Sequence, residues 1–134
     1  MKLKVSFASK VFITGALIVA PIISLAQVAA DTAGCTTAQF VIGTANNRIT
    51  TAGMAFTPKC LRVKVGATVT IDGSARHPLA SMPDIGGVRN PFATGSNFIT
   101  PQTRVMKTRG TFGYFCDAHG NINGSGMAGV IVVE

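Results

Sequence analysis

Helical periodicity is absent from residue 31 onward, and that absence removes helical bundles from consideration. Acidic residues number only five against twelve basic ones, yet the basic residues are scattered. No basic run is interleaved with aromatics, so nucleic-acid binding is poorly supported. Acidic protein partners suit the charge better, with an ordinary solvated surface as the alternative. Cysteines number three and are nowhere closely paired, which leaves a structural zinc site short of firm ligands. There are only two histidines, His77 and His119. No internal repeat, low-complexity tract or second domain is visible.

What is present begins with a secretory signal layout. Lys2, Lys4 and Lys10 give a basic start, residues 11–25 are almost wholly apolar, and "QVAAD" follows. Val28 and Ala30 are the small residues that a cut before Asp31 requires. Cleavage after Ala26 is an alternative. So is an uncleaved anchor, although the apolar stretch is short for a span of about 20 residues. The expected organisation is a signal peptide over residues 1–30 and one exported, for example periplasmic, domain over residues 31–134. That length suffices for a real core. Removing the three lysines leaves nine basic residues against five acidic ones, so the net charge falls from +7 to +4.

Export makes the cysteine count informative. Cys35 and Cys60 lie in the N-terminal half, away from Cys116, and are expected to pair. Their disulfide would close a loop of about 25 residues, worth about 3 kcal/mol. Cys116 then remains the free thiol of an exported domain. The alternative is an unpaired Cys35 near the new N-terminus. Lipid modification of Cys35 is disfavoured, because Thr32 stands where an aliphatic residue is wanted.

Short β-branched runs separated by turn residues replace the missing helices. "AQFVIG" (residues 38–43) and "ITTAGMAF" (49–56) read as strands joined by the polar turn "TANNR". "CLRVKV" alternates Leu61, Val63 and Val65 with Arg62 and Lys64, the pattern of a half-buried strand. "TVTIDG" supplies the next. Residues 74–101, punctuated by prolines and glycines, read as a long excursion with one or two short strands. "QTRVMKT", "GTFGYFC" and "GVIVVE" then resume the pattern. Seven or eight strands with closely spaced turns predict an all-β antiparallel sandwich.

The chemistry concentrates in "YFCDAHGNINGSGMAGVIVVE", residues 114–134. Cys116, His119 and Met127, with the lone upstream His77, make one thiolate, two imidazoles and a thioether. That set matches a trigonal His₂Cys copper site with a weak axial Met. The soft sulfurs suit Cu(I) and the imidazoles keep Cu(II) acceptable, so one ion cycling Cu(I)/Cu(II) is expected. Cysteine nucleophilic catalysis would need a base and an oxyanion donor, and nothing marks a substrate cleft. Plain core packing of Cys116 and Met127 is the remaining alternative.

At these residues the chain resembles the cupredoxins, the plastocyanin- and azurin-like blue copper proteins. The resemblance runs from about Gln39 to Glu134. It rests on "CLRVKVGATVTI", on His77 and on "GTFGYFCDAHGNINGSGMAGVIVV". It implies a Greek-key β-sandwich of seven or eight mostly antiparallel strands. It also implies nitrogen ligands His77 and His119, thiolate Cys116 and axial Met127. Two departures stand out. Seven residues separate His119 from Met127, longer than the usual plastocyanin-like loop, and Met82 competes as the axial ligand. Gly120, Gly124 and Gly126 accommodate the detour. The residue after the upstream His, which in the family commonly donates its N–H to the copper thiolate, is here Pro78 and has none. Ala118 keeps the N–H that could supply the second such bond, so the redox potential should be tuned through this change.

The implied activity is exported one-electron transfer without substrate turnover. Copper storage or delivery is the alternative. Redox protein partners, no nucleic acid, no stable membrane insertion after cleavage and a monomer are expected. The resemblance makes His119 the electron port, with Met82, Pro83, Ile85 and Phe92 as candidates to frame it. Asn123 lies in "NGS", a weak glycosylation triplet.

Overall fold

The computed structural model describes residues 33–92 and 97–134. The expected signal peptide over residues 1–30 and its cleavage point lie outside them. Among the described residues nine strands form: β1 Val41–Ile42, β2 Asn46–Ala52, β3 Ala55–Thr57, β4 Cys60–Val63, β5 Thr68–Ile71, β6 Leu79–Ser81, β7 Gln102–Val105, β8 Gly110–Gly120 and β9 Gly126–Val133. They build a five-stranded sheet in the order β1-β4-β9-β8-β6 and a four-stranded sheet in the order β3-β2-β5-β7.

The all-β sandwich agrees with the sequence, and its details differ for local reasons. Residues 49–56 do not form one strand, because Gly53 at φ +60° turns the chain between β2 and β3. Asn46–Arg48, expected in a turn, instead pair with β5. Only Val41–Ile42 of the first expected strand pairs, after a 3₁₀ turn over Thr37–Gln39. The pairings β1–β4, β2–β5 and β4–β9 are parallel, so both sheets are mixed. Hydrophobic alternation reports which face a residue occupies, not which way its neighbour runs.

The core explains the unbroken apolar run of β9. Met127, Ile131 and Val133 face the inter-sheet core with Phe112, Tyr114 and Cys116 of β8. Ala128, Val130 and Val132 face the other side, with Phe115, Met82 and the Cys35–Cys60 disulfide. The N-terminal segment, with Ala33 and the half-buried Phe40, covers that outer face, so β9 is buried on both sides. Gly129 lies opposite Tyr114, where a Cβ would collide with the phenol oxygen. The phenol donates into the Pro58 and Lys59 carbonyls, at 3.3 and 3.2 Å.

The long excursion contributes β6 and an isolated bridge between Leu79 and Phe98. Buried Asn90 holds it to the sheet, its amide donating to Gly113 O at 2.8 Å and its Oδ1 accepting from Phe92 N at 3.0 Å. Arg104 donates to Pro91 O at 3.0 Å and lies over the Phe92 and Phe98 rings.

Candidate metal centre

Three backbone segments converge at one end of the five-stranded sheet. Leu79 of β6 pairs with Cys116 of β8, which brings the chain just before β6 alongside the thiol. Asp117 N donates to Pro78 O at 2.9 Å and fixes that alignment. His77 is held by reciprocal backbone bonds with Ser74, both 3.1 Å, and its N–H also meets Ser74 Oγ at 3.1 Å.

His119 arrives through an irregularity in the β8–β9 ladder. Phe115 pairs with Ala128 and Gly120 with Gly126, so five steps along β8 oppose two along β9. The surplus residues loop out of the ladder, and such bulges re-aim side chains. Here the bulge lets residues three apart on one strand face each other. A Cβ on Gly120 would strike the Met127 carbonyl, and Gly126 sits at φ +73°. Those two glycines therefore allow the hairpin to close. Its tip is tied by Asn121 N to Ser125 O at 3.0 Å and Ser125 Oγ to Asn123 Oδ1 at 2.8 Å.

The result is a compact donor cluster. His77 Nδ1 lies 3.8 Å and His119 Nδ1 3.5 Å from Cys116 Sγ, with the imidazole rings 5.0 Å apart. One donor atom from each residue lies within 4.8 Å of the others. Atoms each roughly 2.0–2.3 Å from a shared ion are spaced this way. Cys116 is wholly buried, His77 nearly so, and His119 is half-buried. Burial, and then the neighbouring His119 and Arg76, hold the His77 imidazole below its ordinary pKa. A neutral ring with a free lone pair is what a metal requires.

The two methionines separate cleanly. Met127 shares the inner cluster with Cys116. Met82 belongs to the outer cluster and rests on Gly113, so the sheet stands between it and Cys116. Of the two axial candidates, only Met127 is on the thiol's face.

Among the described residues, the polar contacts of Cys116 Sγ are the two imidazole nitrogens. Pro78 brings no N–H, and the Ala118 N–H makes no hydrogen bond to the sulfur. The expected frame around His119 is displaced. β6 runs from Cys116 towards Gly113, so Met82 ends up beside Gly113, and Pro83 and Ile85 follow it in the chain. Met82 and Phe92 are buried, at 4% and 2% exposure. Residues overlooked in the sequence stand at the metal end instead: Ile122 at the hairpin tip, 59% exposed, and exposed Arg76 and Asp117. A lone isoleucine inside the polar "NINGS" was the available signal.

No family model matches the chain, and no curated protein matches it in sequence. Solved structures do. A pseudoazurin from Sinorhizobium meliloti is 30% identical, with a TM-score of 0.51, over 66% of this chain and 73% of that one. A copper-containing nitrite reductase from Thermus scotoductus is 20% identical with a TM-score of 0.54, over 72% of this chain. The match spans only 28% of the reductase chain.

Proposed function

The chain belongs to the cupredoxin family, and we propose that it holds one copper ion at His77, Cys116, His119 and Met127 and passes single electrons between redox proteins. When bound, copper supplies the one-electron step by alternating between Cu(I) and Cu(II). The observation that carries the proposal is a buried thiol facing two imidazole Nδ1 atoms, with a methionine on the same face. Soft sulfur donors and imidazoles together select copper over magnesium or calcium, which want oxygen.

The scaffold supports that role by holding the donors still. His77 and Cys116 are tied through the β6–β8 register, and His119 returns on a hairpin closed by its own hydrogen bonds. Donors fixed on a strand or tied beside one resist rearrangement between the two oxidation states. His119 is the more exposed imidazole and therefore the port for electrons. Ile122 offers a neighbouring apolar contact, while Arg76 and Asp117 place opposite charges nearby.

Export, with residues 1–30 as a cleaved signal peptide and residues 31–134 as the working domain, completes the proposal. The Cys35–Cys60 disulfide supports it, since such bonds persist in oxidising compartments. No described helix is long and apolar enough to cross a membrane. We read the chain as a monomeric carrier, with neither substrate turnover nor a nucleic-acid partner. The experiment is addition of Cu(II) followed by stopped-flow oxidation and reduction with small reagents. An intense thiolate-to-copper band and repeated electron exchange are expected. A site that surrenders its copper to a mild chelator on each reduction would point to storage or delivery instead.

A further inference from the structure

Cations far apart in sequence meet at the end of the sandwich opposite the donor cluster. From Gly110, at the start of β8, to Cys116 the strand covers about 20 Å at its usual rise. Beside that start, Arg89, Lys107 and Thr108 line a cleft of about 140 Å³ with Pro91, Val105 and Phe112. Val63 of β4 pairs with Val133 of β9, so Lys64 and Val65 emerge at the same end. Gly66 N donates to Met106 O at 2.9 Å, joining their loop to the one bearing Lys107 and Arg109.

Two of these cations, Arg89 and Lys107, lack ion-pair partners among the described residues. Ion pairs among the described residues join Arg48 to Asp72, and Arg62 and Lys64 to Glu134. Arg89 and Lys107 have no carboxylate partner among those residues, whereas Lys64 pairs with Glu134 and Arg109 lies within electrostatic reach of the same carboxylate. Glu134 is already shared, and Asp84 accepts from Asn90 N at 2.8 Å. Two exposed valines accompany the cations: Val105, 47% exposed, lines the cleft, and Val65, 46% exposed, follows Lys64 in the adjoining loop. The cleft falls below the roughly 300 Å³ that organic ligands occupy, so it suits a single oxyanion group.

We propose that this end of the sandwich docks onto an anionic phospholipid surface, with a lipid phosphate between Arg89 and Lys107. A bilayer needs no point-by-point complementarity. Each cation near it contributes through the surface potential, and small apolar side chains enter the headgroup zone. Free phosphate would leave the two valines without a role. An acidic protein would have to bring a carboxylate into a cleft sized for one group while also covering both valines. Docking through this end directs His119 away from the lipid.

The test is vesicle co-sedimentation of the full chain as isolated, with every variant in the same background. Partition onto vesicles containing anionic phospholipid is divided by partition onto neutral phosphatidylcholine vesicles. The double variant Arg89→Gln/Lys107→Gln should lower that ratio on the order of tenfold to thirtyfold. Arg48→Gln/Lys59→Gln, with the same change in net charge elsewhere, should lower it by less than about threefold. Unfolding midpoints matching the parent's would show that both doubles fold. A parental ratio near one, or equal falls in both doubles, overturns the proposal. So does complete loss of binding in about 10 mM inorganic phosphate at constant ionic strength, which would mark a free-oxyanion site. Binding to polyglutamate but not to anionic vesicles would assign the surface to acidic proteins and overturn it too.

Discussion

The sulfur of Met82 occupies the space that a Cβ on Gly113 would fill, on the face of the five-stranded sheet turned away from Cys116. That contact puts Met82 across the sheet from the thiol, and two substitutions test the axial role proposed for Met127. Met82→Leu should leave the copper spectrum and potential unchanged and cost less than about 1.5 kcal/mol, as for a volume-conserving core swap. Met127→Leu removes a donor that favours Cu(II), so the potential should rise while the blue band persists. Spectra and voltammetry of both variants check this. A Met82→Leu potential shift with an unaffected Met127→Leu would reverse the assignment.

Cys116→Ser should abolish the blue band, because a serine oxygen cannot reproduce sulfur-to-copper charge transfer. The fold should survive, because it is held by the buried apolar strands and the Cys35–Cys60 bond. Thiol labelling of the unfolded, unreduced apoprotein should find one reactive cysteine in the parent and none in the variant. Persistent colour, or three labels in the parent, would refute these assignments.

Pro78 bears on the redox potential. A thiolate that accepts a hydrogen bond gives up electron density, which favours the more electron-rich Cu(I) state. Pro78 withholds such a donor while its carbonyl accepts from Asp117 N. Pro78→Asn restores an N–H and should raise the potential, with the visible spectrum retained. Voltammetry showing a fall, or no shift, would place that N–H out of reach of the sulfur.

His77 predicts the acid sensitivity of the apoprotein. Its imidazole is held below the ordinary value of 6.5 in the folded state and returns to it on unfolding. Below about pH 6.5 the unfolded chain therefore binds more protons, and stability falls with pH until the folded-state value is passed. Denaturant titrations of the apoprotein between about pH 7.5 and 5 should show this decline. His77→Gln should flatten it. An equal slope in both proteins would assign the pH dependence to other groups.

The candidate donors could be picked out in the sequence because their spacing is local. Cys116, His119 and Met127 lie within one hairpin, and only two histidines were available. The sheet class was legible too, since alternation at residues 61–65 and the apolar run of β9 report burial directly. The Cys35–Cys60 pairing followed from counting three cysteines in a chain read as exported, and it is present.

Tertiary structure alone decided the rest, because face and direction depend on register between distant strands. Parallel pairing of β4 with β9, the break of residues 49–56 at Gly53, and the placement of Met82 behind the sheet leave no mark in periodicity. The same holds for the surplus residues of β8 that turn His119 back to Cys116. It holds equally for the basic cleft, where Arg89 and Lys107 become neighbours only after the excursion folds down beside β8. A local pattern records how buried a residue must be. Which partner buries it is settled by long-range pairing, which adjacent residues do not encode.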